Sequence, residues 1–340
     1  MRIRFLTSTP LDIRRGSGTY VGIQVLARAL AAMGHTVQFE TPRVKLPVYT
    51  LERIVFNRAL RPSTDFDITV GFDMDGYRIA SEPRHVASLK GVIADEVRFE
   101  SGMTRLTMGI QARCERMHVQ RAARVLTTSR YSAERAREFY GLEREPVVVP
   151  ELIDLAEWRK WLRERPAPEP RKRPTRVLFV GRLYRRKRVN VLLRAAAMLR
   201  RRVANLELRI VGNGPEARRL HGQGTATWLG DVSREQLVDE YNGCDIFCLP
   251  SVQEGFGIVL LEAMAAGKPI VAARAAAIPE VAPHGLLVEP DSPEALAAGI
   301  EQLCSSPERR TAMALEGARW VEQFDALRVA QLFLDAISEC

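Results

Sequence analysis

The chain has 340 residues, 46% of them hydrophobic and 27% charged, a balance that builds globular cores and excludes a mainly disordered chain. That length exceeds what one ordinary core supports and predicts two domains of roughly 150 residues. The net charge of +9 is local, because 13 basic residues and two acidic ones stand between Arg159 and Arg188, and the rest is near neutral.

In chain order, residues 2–7 form an apolar run of strand length, followed by a polar loop that holds Gly16 and Gly18. Val21, Val25, Leu26 and Leu30 recur at helical spacing until Gly34 closes the helix, and a strand follows over 36–40. Further strands are predicted at 67–71, 90–94, 124–128 and 146–149, with helices over 103–122 and 131–140. Strands that alternate with helices pair in parallel through right-handed crossovers, so this half reads as a doubly wound sheet. R-P-A-P-E-P-R-K-R-P at 165–174 breaks the pattern, since four prolines in ten residues cannot continue a helix or a central strand.

Alternation then restarts, with strands at 176–180, 206–211, 226–229, 245–249, 269–272 and 285–288. Between them fall helices at 189–202, 215–221, 233–242 and 258–266, and three more close the chain at 292–304, 307–322 and 326–338. The predicted organisation is α/β, with one domain over 1–165 and a second over 175–325. No apolar run reaches the roughly 18–20 residues that span a bilayer, and the amino-terminal apolar stretch is too short for a signal peptide. Five scattered cysteines (Cys114, Cys244, Cys248, Cys304, Cys340) argue against a secreted disulfide scaffold and for a cytoplasmic setting.

The densest stretch is G-C-D-I-F-C-L-P-S-V-Q-E-G-F-G-I-V-L-L-E-A-M-A-A-G-K-P at 243–269. An apolar strand ends at Pro250, and Gly255 and Gly257 then let backbone N–H groups approach a ligand. A helix begins near Gly257, and its free N–H groups and positive end favour an anion. Glu254 and Glu262, eight residues apart, can both face a polar ligand lying over that helix start. Standing alone, the same spacing also suits two surface acids.

E-x7-E in this setting resembles the donor-binding motif of family 4 retaining glycosyltransferases, which have the GT-B fold. G-R-L-Y-R-R-K at 181–187, I-V-G-N-G-P at 210–215, T-W-L-G-D-V at 227–232 and I-P-E-V at 278–281 extend the resemblance over residues 175–340, and G-S-G at 16–18 carries it weakly into the first half. The resemblance implies two Rossmann-like domains facing across a cleft, with helix 326–338 bracing the first. It implies a nucleotide-diphosphate sugar as donor on the second domain and an acceptor on the first, whether saccharide, lipid-linked or small molecule. It implies no metal and no cofactor. Arg182 and Lys187 would contact the donor diphosphate, Glu254 the sugar hydroxyls and Glu262 the ribose. Gly255, Phe256 and Gly257 would line the sugar pocket, Gly212 and Gly230 belong to the matching donor motifs, and Gly16 and Gly18 would bring N–H groups to the phosphates. The Trp228–Val232 stretch would hold the nucleobase. One departure stands out: the family commonly carries a histidine and then an aspartate at the end of a first-domain strand, and V-I-A-D-E at 92–96 offers Ala94 and Asp95 there. Asp95 is thus the first-domain catalytic candidate.

Other features compete. D-M-D at 73–75 has the form that binds metal–nucleotide complexes in a different fold, and an acceptor-facing loop suits it better here. Cys244-x3-Cys248 lacks a further ligand at metal spacing and reads as packing. The basic band fits a solvated linker, a reversible contact with the inner face of an anionic membrane, or nucleic acid. Only Trp161 and Tyr184 interleave its charges, too few for a stacking platform, so nucleic acid is not expected as a partner. A GT-B epimerase or phosphorylase is the remaining alternative, although nothing marks a lysine for pyridoxal phosphate.

Overall fold

A computed structural model describes residues 1–9, 18–165, 174–200, 202–203, 205–224 and 226–338. Gly16 and Arg171 to Arg173 of the basic band therefore lie outside the described residues. The chain divides into two compact units: one runs up to Leu152 and regains the segment from Ala326, and the other runs from Ile153 to Asp325.

Unit 1 runs β1 (Arg2–Leu6), α1 (Gly18–Ala32), β2 (Thr36–Glu40), α2 (Tyr49–Ala59), β3 (Ile68–Phe72), β4 (His85–Leu89), α3 (Ile93–Val97), α4 (Gly102–Arg121), β5 (Arg124–Thr127), α5 (Arg130–Tyr140) and β6 (Val147–Val148). Its strands pair in parallel in the order β2-β1-β3-β4-β5-β6. Ile3, Phe5, Val70 and Phe72 of the strands meet Ile23, Leu26 and Leu30 of α1 in one buried cluster. The ring of Phe5 packs edge-on to Phe72 with centroids 5.0 Å apart.

Unit 2 runs α6 (Leu155–Glu164), β7 (Thr175–Val180), α7 (Val189–Leu199), β8 (Leu206–Val211), α8 (Ala217–His221), β9 (Thr227–Gly230), α9 (Arg234–Gly243), β10 (Ile246–Leu249), α10 (Ile258–Ala265), β11 (Ile270–Ala273), α11 (Ile278–Val281), β12 (Leu286–Val288), α12 (Pro293–Ser305) and α13 (Pro307–Trp320). Its parallel sheet has the order β12-β11-β10-β7-β8-β9, around an apolar core. The last helix, α14 (Ala326–Ser338), puts Val329, Phe333 and Ile337 into the core of unit 1, where it packs on α1. No helix among the described residues is long and apolar enough to cross a membrane.

Three elements differ from the sequence expectation. The strand expected at 90–94 is β4, His85–Leu89, and the chain turns helical at Ile93. Alternation failed as a guide because His85 and Ser88 are polar yet buried. Helix α2 went unread because its pattern is inverted: Thr50, Arg53 and Asn57 are buried, while Leu51 and Val55 face solvent. Helix α6 lies ahead of the proline-rich stretch but packs in unit 2, where Trp158 meets the ring of Tyr241 at 5.7 Å.

His85 explains its own burial. Its Nε2 lies 2.8 Å from Nε2 of His118, so one ring donates and the other accepts, and the accepting imidazole must be neutral. Burial pushes both below the usual histidine range, His118 to about 4. The unfolded chain takes up these protons near pH 6.5, before the folded chain does, so this contribution is complete above pH 6.5 and lost as pH falls toward 4. The stability advantage of the wild type over His118→Gln should shrink by roughly 2 kcal/mol between pH 7 and pH 4.5. Urea denaturation of both proteins across that range measures it, and a constant difference contradicts the assignment.

Candidate functional site

Parallel strands all end on the same edge of a sheet, and doubly wound sheets bind ligands past that edge, where the strand order reverses. In unit 2 the reversal falls between β7 and β10. The loop after β7 is Gly181–Tyr184, continued by a 3-10 turn, Arg185–Lys187; the loop after β10 leads through Ser251 and Gly257 into α10. The Val252 N–H donates to the Arg186 carbonyl at 2.9 Å and joins the two loops.

On that junction the Lys187 ammonium lies 2.6 Å from both carboxylate oxygens of Glu254. The two side chains are 14% and 8% exposed, so a nearly desolvated pair stands at the mouth of the sheet. Arg182 leaves the same β7 loop, and its guanidinium has no hydrogen bond or ion pair among the described residues. Gly255 and Phe256 are buried between Glu254 and the helix, with Phe256 edge-on to Phe324 at 5.5 Å. Gly257 begins α10 at φ 92°, a left-handed conformation that favours glycine.

Glu262 is also buried but has separate partners. Its Oε2 accepts from the Tyr241 hydroxyl at 2.8 Å, and Oε1 lies 3.9 Å from Arg234. Burial raises its pKa, against the opposing pull of Arg234 and Tyr241. The structure thus joins Lys187 to Glu254 and holds Glu262 on a separate network with Tyr241.

Gly212 and Gly230 act through the backbone. The Gly212 N–H donates to the Gly230 carbonyl at 2.7 Å, and a Cβ on Gly212 would fall 2.1 Å from the Gly181 carbonyl oxygen. The Leu183 N–H donates to Asn213 at 2.9 Å, so the loops after β7 and β8 are interlocked. Trp228 is half-buried and its ring lies 4.3 Å from that of His221.

In unit 1, Gly18 is the first residue of α1. Asp95 sits in α3, fully buried, and takes the Tyr131 hydroxyl at 2.6 Å and the Arg98 guanidinium at 3.1 Å. The end of β4 falls at Leu89, so the residue just past the strand is Lys90 and not Ala94. Sequence reading missed Lys90 because it misplaced the strand. Both oxygens of Asp75 in D-M-D are engaged by Ser8, Asn57 and Arg53. Among the described residues no three His, Cys, Asp or Glu side chains are grouped to hold a metal. Cys244 and Cys248 are buried thiols, and the Cys244 Sγ–H donates to the Tyr241 carbonyl at 3.3 Å.

The described part of the basic band is largely paired. Arg159 meets Glu322, Arg165 meets Asp239, Arg176 meets Glu207 and Arg188 meets Asp291.

Residues 162–320 match the family described as "Glycosyl transferases group 1". A D-inositol 3-phosphate glycosyltransferase of Rhodococcus erythropolis is 31% identical over 243 residues, covering 65% of this chain and 55% of that protein. A GDP-mannose-dependent alpha-(1-6)-phosphatidylinositol monomannoside mannosyltransferase of Mycobacterium tuberculosis is 36% identical over 166 residues, 44% of this chain and 43% of that one. The chain spans about half the length of the curated relatives it matches. Among solved structures, a sucrose-phosphate synthase from Thermosynechococcus elongatus superposes with a TM-score of 0.78 at 20% identity, covering all of both chains. The fold is GT-B, with two Rossmann-like α/β domains of six strands each.

Removing one partner of a nearly desolvated pair strands the other charge, at about 3 kcal/mol, whereas removing both does not. Lys187→Met should therefore lower unfolding stability by about that amount, and Lys187→Met with Glu254→Met should recover most of it. Chemical denaturation of the two singles and the double checks this; an additive double would contradict the pairing.

Proposed function

We propose that this chain transfers a sugar from a nucleotide-diphosphate donor to an acceptor hydroxyl, with retention at the anomeric carbon. The observation that carries the reading is the Lys187–Glu254 pair at the strand reversal of unit 2, inside the segment that matches glycosyl transferases.

The chemistry follows from the groups on those loops. An ammonium has three N–H donors, and Glu254 occupies two directions of the Lys187 head, which leaves one for a phosphate oxygen. Arg182 offers a planar fork beside it. As the bond from the anomeric carbon to the diphosphate breaks, negative charge grows on the leaving oxygen, and two fixed cations stabilise it. Glu254 would accept hydrogen bonds from the donor sugar hydroxyls, the backbone of Gly255 to Gly257 would pack against the sugar, and Glu262 would face the ribose. The acceptor oxygen would bond to the anomeric carbon on the face the diphosphate leaves, and its proton would pass to the departing phosphate. Positioning and charge stabilisation would supply the rate.

The named relatives act on inositol 3-phosphate and on a phosphatidylinositol mannoside. The proposed acceptor is accordingly a hydroxyl on an inositol-phosphate framework, free or lipid-linked. Arg159, Arg165, Arg176 and Arg188 of the basic band are paired with acids, and the reading gives these four no membrane role. Cysteines held as thiols suit a reducing, cytoplasmic compartment.

Thermal shift with UDP-glucose, GDP-mannose and ADP-glucose tests the donor. A sugar nucleotide at 100 times its Kd should stabilise the chain by ~2.7 kcal/mol, and the absence of any shift with all three would count against the reading. With a donor in hand, Glu254→Gln and Arg182→Ala should each lower kcat/KM about a hundredfold, a loss of ~2.7 kcal/mol in transition-state stabilisation. Turnover should persist in EDTA, because Arg182 and Lys187 meet the diphosphate charge; loss in EDTA with rescue by Mn²⁺ would place a metal in the reaction.

A further inference from the structure

Strand β9 ends at Gly230 and α9 begins at Arg234, where a capping box of Ser233 and Gln236 fixes the first turn. The Arg234 guanidinium makes no hydrogen bond among the described residues. It lies instead over two indole rings of α6, 5.0 Å from the Trp161 centroid and 5.7 Å from that of Trp158. Those rings meet edge-on at 6.0 Å, and Trp158 belongs to the buried core of unit 2, so the shelf beneath the arginine is packed in place.

From that shelf Arg234 comes within 3.9 Å of Oε1 of Glu262, with side chains 20% and 9% exposed. At this separation the two charges attract but form no hydrogen bond. The other oxygen, Oε2, is taken by the Tyr241 hydroxyl at 2.8 Å, and the Tyr241 ring is braced by Trp158. Burial pushes the Glu262 carboxyl up, and Arg234 and Tyr241 both oppose that push. Oε1 itself accepts no hydrogen bond among the described residues. Glu254 differs, since Lys187 lies 2.6 Å from both of its oxygens. An arginine free to close on Glu262 would form a similar tight pair and fill Oε1. Stacking on the two indoles holds Arg234 short of that.

We propose that Arg234 is a positioning residue for ribose recognition: seated on Trp158 and Trp161, it stands near enough to pair with Glu262 and too far to occupy Oε1, which is left open to accept a hydrogen bond from a ribose hydroxyl of the donor. Tyr241 is a second positioning residue, which fixes the carboxylate through Oε2. The chain then selects a nucleotide by its sugar as well as by its phosphates, because a hydrogen bond to a charged oxygen is stronger than one to a neutral oxygen. This inference rests on the donor reading of Glu262, and the network that it uses lies wholly within unit 2.

Calorimetric titration of the full chain with UDP, GDP and ADP identifies the tightest nucleotide, and its 2′,3′-dideoxy counterpart is then titrated. The wild type should prefer the ribonucleotide by roughly tenfold or more, and Glu262→Gln should abolish most of that preference. Arg234→Met should lower the preference by about threefold or more, whereas Arg234→Lys, which retains a cation, should keep most of it. Tyr241→Phe preserves the buried ring and should lower the preference as well, which gives a second variant should Arg234→Met fail to fold. Affinity for the dideoxy nucleotide should stay within about twofold throughout, since none of these side chains is assigned to the phosphates or the base. A merely structural Arg234 would weaken both nucleotides alike; that outcome, or a wild-type preference in both Arg234→Met and Tyr241→Phe, overturns the inference. The donor reading survives either result as long as Glu262→Gln loses the preference. If none of the three nucleotides binds the wild type, the donor reading fails and the inference fails with it.

Discussion

An ammonium and a carboxylate drawn from loops 67 residues apart in sequence form the interaction on which the donor-side geometry depends. Taking Lys187 and Glu254 out of water costs several kcal/mol per charge, and their mutual attraction offsets this only in good geometry. That geometry is set by β7 and β10 running side by side, with Ile246 opposite Val177 and Phe247 opposite Leu178. Neighbouring strands deliver the two loops to the same edge. The interlocking of Gly181 with Gly212 then holds the β7 loop down, and positive φ at Gly257 lets α10 start immediately past Glu254.

The two units use polarity in opposite ways. The sheet of unit 2 is lined with Val, Leu, Ile and Phe, and its charges are paired outside that core. Unit 1 buries Arg53 with Asp75, His85 with His118, and Glu115 beneath the Tyr140 hydroxyl and the Ile93 N–H. Each such group is costly unless satisfied, and a satisfied network fixes one arrangement of its elements. The interior of unit 1 thereby gives up hydrophobic stabilisation for a defined arrangement.

The charge imbalance also changes meaning once folded. Thirteen basic residues between Arg159 and Arg188 read as a cationic block, yet Arg159, Arg165, Arg176, Lys187 and Arg188 reach acids in α9, the loop before α10, β8 and the segments near Asp291 and Glu322. Exposed pairs such as Arg165–Asp239 are worth at most about 1 kcal/mol each. Their consequence is mainly to quench a local field that the linear sequence exaggerates.

The sequence by itself determined the α/β class, the alternation that makes both sheets parallel, the unit 2 loops that carry Arg182, Lys187 and Glu254, and the helix that carries Glu262. These were legible because they depend on local pattern: apolar runs of strand length, helical spacing, and glycines where backbone must turn. Helix α2 and strand β4 were not legible, because Arg53, Asn57, His85 and Ser88 are polar residues in buried positions, and their burial depends on partners far away in the chain. The same limit applied to the site. That Lys187 binds Glu254 and that Glu262 turns to Tyr241 are outcomes of strand order and loop contact. Side-chain pairing is set by which strands become neighbours, and strand adjacency is a property of the folded sheet, not of any window of sequence.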